Sequence, residues 1–189
     1  MQLQANPMQF LSEAAKRLRA VLERELVLGV KYEPDGGAHP LTLFEEVFET
    51  KGDTTETPKR GLYDRIIHDS DPEQNFASDL DSHHAVKVFV KLPKAYKIPT
   101  PIGTYNPDFA LVIEKPNLDD GDAECRFFFT VETKGTAEWD KLKPEEWLKI
   151  QCAVRHFEAI GLKSYLAPVD SLKTFDTRAR ERTGQTFFE

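Results

Sequence analysis

Cysteine is scarce in this chain. Only Cys125 and Cys152 occur, without paired spacing, which excludes a disulfide framework and a zinc site, and makes a reducing, cytoplasmic setting the expectation. Long hydrophobic runs are missing as well. No apolar stretch approaches the roughly 18 residues of a membrane span, and the start lacks the basic-then-apolar pattern of a signal peptide. No membrane partner is therefore expected. No Gly-x-x-x-x-Gly-Lys-Ser/Thr phosphate loop occurs, so the chain should not hydrolyse ATP. Internal repeats and low-complexity tracts are absent. Positive charge is in deficit too: a net charge of −7 argues against coating nucleic acid by bulk electrostatics.

What is present suits one ordinary globular domain with a small appendage: 189 residues, 40% hydrophobic and 30% charged, with 13 Phe for a core. The charge is segregated. Lys87, Lys91, Lys94 and Lys97 fall in a stretch without an acid, while Asp119, Asp120, Asp122 and Glu124 crowd one loop. The basic stretch reads as a weak DNA-contacting surface that depends on a partner for affinity, or as spare solubilising lysines.

Phe10, Leu11, Ala14, Leu18, Val21, Leu22 and Leu26 recur at helical spacing and predict an amphipathic helix over residues 8–27, part of an extension (1–61) packed on the core. Asp35-Gly36-Gly37 is a turn signal between β-prone residues, and residues 51–61 read as a polar loop or linker. The core is placed at 62–169. Within it, Ser70-Asp71-Pro72-Glu73 starts a helix that ends near His83-His84, a pair better suited to a helix end than to metal. Val86, Val88 and Val90, alternating with Lys87, Phe89 and Lys91, predict a strand with one dry face. Gly103 permits a tight turn. Pro144 opens a last strong helix with Trp147, Ile150, Val154, Phe157 and Ile160 on one side and Gly161 as its stop; residues 163–169 resemble a final strand. Residues 170–189, with Arg178, Arg180 and Arg182, show little periodicity and read as a tail. Trp139 and Trp147 read as packing anchors.

Two acidic motifs stand about two dozen residues apart. Tyr105-Asn106-Pro107-Asp108 opens the apolar run Phe109-Ala110-Leu111-Val112-Ile113, and Glu132-Thr133-Lys134-Gly135 closes the run Phe127-Phe128-Phe129-Thr130-Val131. Asp120-Gly121 between them is a hairpin dipeptide, so an antiparallel pair is expected, with Asp108 beside Glu132. A two-residue turn there would set Asp108 opposite Thr133, on the wrong face; a shared site requires a bulge or an odd-length loop.

Phosphodiester hydrolysis needs a positioned water and positive charge facing the developing phosphate anion. Mg²⁺, with Mn²⁺ as substitute, would be held by one or two carboxylates, here Asp108 and Glu132, with the Thr133 backbone carbonyl as a further oxygen. Lys134 shares a face with Glu132 and can orient the water, lower its pKa or stabilise the anion. As a bare pattern, Asp…Glu-x-Lys also fits an exposed, salt-bridged strand end.

Residues 62–157 resemble the C-terminal nuclease domain in the restriction subunit of Type III restriction enzymes, a branch of the PD-(D/E)XK nucleases. The resemblance rests on Leu62-Tyr63-Asp64, Asp69-Ser70, Phe76-Ala77, the run from Val86 to Pro93, Ile98-Pro99-Thr100-Pro101, the two acidic motifs, and Lys149-Ile150-Gln151-Cys152-Ala153 with His156-Phe157. It implies a mixed central β-sheet flanked by helices, an α/β fold of the restriction-endonuclease-like type. It implies metal ligands at Asp108 and Glu132, a catalytic Lys134, and a metal-linked role for Glu73, whose other reading is a capping-box side chain. It further implies double-stranded DNA as substrate, with an ATP-dependent helicase-like motor and a DNA methyltransferase subunit as partners in restriction and phage defence. Phe109 stands where the family more often has tryptophan. Lys149, Gln151 and His156 follow as phosphate contacts or as a solvated helix face. A chemically silent docking module and a repair or recombination nuclease of the same fold remain the rival readings.

Overall fold

The computed structural model describes residues 6–45, 54–56, 58–116 and 124–188. Among these residues, helices and strands follow in the order α1 (Pro7–Gly29), β1 (Thr54–Glu56), β2 (Arg65–Ile67), α2 (Asp71–Ser82), β3 (Val86–Lys91), β4 (Ile98–Thr100), β5 (Gly103–Tyr105), β6 (Phe109–Pro116), β7 (Glu124–Thr133), α3 (Pro144–Ala159), β8 (Tyr165–Val169) and α4 (Leu172–Thr183). The central sheet has the order β3-β6-β7-β8. Its first three strands are antiparallel, and β8 runs parallel to β7 through the α3 crossover. This is the mixed sheet flanked by helices that the family resemblance implies.

Two cores lie on opposite faces. On one, Phe89, Phe109, Leu111, Phe129 and Val131 of the sheet meet Phe76 and Leu80 of α2 and Phe175 and Ala179 of α4. On the other, Tyr165 and Ala167 of β8 meet Ile150, Ala153 and Phe157 of α3, with Ile98 and Tyr105 of the β4–β5 hairpin closing the layer. Gly103 makes that hairpin possible, at φ +110°. Beyond α3 the same sheet face carries an apolar groove of about 230 Å³, lined by Val88, Val90, Ala110, Val112 and Phe128 among others.

The β6–β7 register answers the question of faces. Pairing runs from Phe109↔Val131 to Pro116↔Glu124, which leaves the odd-length segment 117–123 between the strands. Asp120-Gly121 lies outside the described residues, as do Asp119 and Asp122. At the other end the Asp108 N–H donates to the Val131 carbonyl (3.1 Å), one step off that register.

Several elements depart from the sequence reading. Between Val86 and Val88 the β3–β6 register shifts, so the strand changes parity: Val86 and Phe89 are both buried, and Val88 and Val90 fall on the half-exposed side. Residues 170–188 are no loose tail. Ser171 caps α4 by accepting from the Thr174 N–H, Gly184 ends it at φ +73°, and Phe187 returns to the first core. Helix α1 is capped by Asn6 and runs 23 residues, but its contact with the core is at the C-terminal end. There Val27 packs with Leu148 and Cys152, and Arg155 donates to the Val27 carbonyl. Phe10, Leu11, Leu18, Val21, Leu22 and Leu26 stay exposed. The Asp35 turn exists, with its carboxylate accepting from Gly37 N–H (2.8 Å), but its flanks form no strand among the described residues. Within the expected linker, Thr54–Glu56 pairs with β2.

On the outer side of β3, a short segment lies along the edge: Leu62 N–H donates to the Phe89 carbonyl (2.8 Å) and Phe89 N–H to the Arg60 carbonyl (3.0 Å).

Candidate active site

The site gathers at one end of the sheet, where β6 begins and β7 ends. Pro107 has no N–H to give to a ladder, so the chain enters β6 with Asp108 as its first free donor. One Asp108 oxygen, Oδ2, accepts from both the Thr133 N–H and the Thr133 hydroxyl (2.8 Å each). The other, Oδ1, lies 3.1 Å from Lys91 Nζ. Glu132 is buried at 4% exposure. Its Oε1 pairs with Lys134 Nζ (2.7 Å), and its Oε2 accepts from the Tyr105 hydroxyl (2.6 Å). Tyr105 in turn touches the Tyr165 hydroxyl at 2.6 Å, and both rings are buried. Glu146, in the first turn of α3, stands 4.0 Å from Lys134.

The electrostatics follow from this crowding. Burial, then the neighbouring Asp108, pushes the Glu132 carboxyl up to about 7, against the opposing pull of Lys134 and Tyr105. Burial works against the Lys134 ammonium, but Glu132, Asp108 and Glu146 outweigh it and leave its pKa above the ordinary value. Tyr105 and Tyr165 are held far above the usual phenol range, chiefly by burial and then by Glu132.

Asp108, Glu132, Thr133 and Lys134 are thus brought together. Glu73 joins them from α2: its Oε2 accepts from the Asp69 N–H (2.9 Å), much as a capping side chain would, and lies 2.7 Å from Lys91. Lys91 is turned inward to these acids, with its side chain 16% exposed. Its fellow lysines sit elsewhere: Lys87 pairs with Glu114, Lys94 with Asp69, Lys149 with Glu145 on its own helix, and Lys97 is exposed. His156 packs edge-on against Tyr32, His83 stacks on His84 at the end of α2, and Arg178 donates to the Ala137 carbonyl beside Trp139. The sequence reading groups Lys91 with the DNA-contacting lysines; the β3 bulge instead turns it inward to Glu73 and Asp108. Nothing in the sequence singles out Tyr165.

The donor set is all hard oxygen, and two carboxylates that disfavour each other's charge fit a divalent cation that would relieve the repulsion. Among the described residues no group of three or more His, Cys, Asp or Glu side chains is arranged to hold a metal by itself. Mg²⁺ does not demand one, since it commonly takes one or two carboxylates and completes its shell with water and phosphate oxygens.

Residues 59–172 match the family model described as "Endonuclease domain". The chain belongs to this family. The match spans α2, the whole central sheet and α3, and so contains every residue of the site, while α1 lies outside it. The architecture is that of a PD-(D/E)XK-like endonuclease domain. No curated protein and no solved structure matches the chain.

Proposed function

We propose that this endonuclease domain hydrolyses phosphodiester bonds of double-stranded DNA with Mg²⁺, as in Type III restriction enzymes. Target choice then falls to partner components, an ATP-dependent helicase-like motor and a DNA methyltransferase. The observation that carries the reading is the meeting of Asp108, Glu132 and Lys134 at one sheet end, each carboxylate oxygen oriented by a specific donor.

When bound, Mg²⁺ would supply positive charge against the phosphate and acidify a water. The chain's own groups have separable tasks. Thr133 fixes Asp108 through two donors, and Tyr105 fixes Glu132, so neither acid has to be reoriented during reaction. Lys134, its pKa raised, stays protonated near neutral pH. That favours a cation that orients water or steadies the phosphoryl anion over a general base. The exposed Lys87, Lys94 and Lys97, with Lys149, are the proposed DNA-backbone contacts. They are few beside a net charge of −7, which is why affinity would come from partners.

The test presents linear duplex, flap and junction DNA to the chain in Mg²⁺ or Mn²⁺. Duplex cleavage that stops in EDTA and in Asp108→Ala, with duplex affinity unchanged or slightly raised in that variant, is the expected result. Cleavage retained by Asp108→Ala would remove the assignment. Flap or junction preference would favour a repair nuclease, and no metal binding at millimolar Mn²⁺ would favour the docking module.

A further inference from the structure

Lys91 belongs by sequence to the basic, DNA-contacting stretch, yet the structure turns it inward. Its ammonium bridges two acids from different elements, Glu73 Oε2 at 2.7 Å in the first turn of α2 and Asp108 Oδ1 at 3.1 Å before β6. Its position is over-determined: the β3 bulge turns it to the core face, and the Phe109 ring lies under it, 5.1 Å from centroid to Nζ.

The four oxygens of the Asp108–Glu132 pair divide by the kind of donor they meet. Asp108 Oδ2 and Glu132 Oε2 take neutral donors, the Thr133 N–H and hydroxyl and the Tyr105 hydroxyl. Asp108 Oδ1 and Glu132 Oε1 take the ammonium groups of Lys91 and Lys134. A neutral donor can stay in place beside a metal-bound carboxylate. An ammonium at about 3 Å from the same oxygen cannot do so without strong like-charge repulsion.

We infer that Lys91 is the internal counter-ion of the metal site: it holds Glu73 and Asp108 together in the metal-free protein and gives up Asp108 Oδ1 when a divalent cation enters. The inference rests on the metal reading proposed above and adds to it a residue that sets how tightly metal is held. Lys91 is a positioning residue in this account. Its removal leaves Glu73, Asp108 and Glu132 with Lys134 as the remaining nearby ammonium, a more negative cage that takes a divalent ion more readily.

The experiment titrates the full chain with Mn²⁺ by calorimetry and follows thermal melting with and without Mn²⁺, for the parent protein, Lys91→Met and Lys91→Arg. Lys91→Gln, which keeps an N–H donor for the two acids, is read in parallel in case Lys91→Met does not fold. Neutral variants are expected to bind Mn²⁺ about tenfold tighter, the size of one pKa-unit-scale interaction, and to gain more in melting temperature from Mn²⁺ than the parent does. Lys91→Arg should bind as the parent does. If the parent binds Mn²⁺ and the folded neutral variants bind it equally or more weakly, Lys91 is only a structural ion pair and the inference falls alone. If neither parent nor variants bind Mn²⁺, the inference and the metal reading fall together.

Discussion

Burial and the nearby Asp108 charge both penalise ionised Glu132, and its two donors recover only part of that, so its pKa stands at about 7 instead of 4.5. The folded state therefore holds this proton more tightly than the unfolded chain. The resulting stabilisation is complete below about pH 4.5 and is lost as pH rises through about 7. That gap corresponds to about 3 kcal/mol. In EDTA, denaturant unfolding should show stability falling between these two pH values, and Glu132→Gln should flatten the profile. A slope that survives in Glu132→Gln would place its origin in other groups. Saturating Mn²⁺ should flatten it in the parent as well, because a cation beside Glu132 favours its charged form. At this scale the acidic motifs were legible because strand ends confine Asp108 and Glu132 to one place. The tyrosine pair behind them was not, since a buried Tyr165 hydroxyl looks from sequence like any aromatic core residue.

Among the elements, periodicity served best where a strand or helix is regular. The antiparallel β6–β7 pair and β8 follow from pattern, and the starts of α2 and α3 from Pro72 and Pro144 in their first turns; the Ser70 side chain makes no cap bond. Periodicity failed at β3, where a single register shift moves Lys91 from the wet face to the site, since period-two reasoning has no memory across a bulge. It failed again at α4. Only Phe175 and Ala179 of that helix are buried, too sparse a stripe to show against Arg178, Arg180 and Arg182, although Ser171 and Gly184 mark its ends. The two peripheral helices should respond to side-chain truncation by very different amounts. Phe175→Ala, fully buried between α2 and β7, is expected to cost about 3–5 kcal/mol in urea unfolding. Leu18→Ala, on the exposed stripe of the longer and more plainly amphipathic α1, should change stability by no more than about 0.5 kcal/mol. Equal effects would mean that α1 is held along its length.

For the molecule as a whole, composition pointed only to an ordinary globular chain, and the α/β class came from the family resemblance; no helix among the described residues is long and apolar enough to cross a membrane. What composition could not foretell is how the sheet is finished. A β-sheet stops being sticky only when its last strand has nothing left to offer a stranger. Here residues 60–62 act as a selvedge: they occupy the outward amide and carbonyl of Phe89 with the chain's own backbone. The stitch passes through Gly61, where a methyl group would stand 2.4 Å from the Pro58 ring. Gly61→Ala should loosen that border, and the consequence would be social as much as structural. Light scattering is expected to report concentration-dependent clumping of the variant under conditions where the parent stays dispersed.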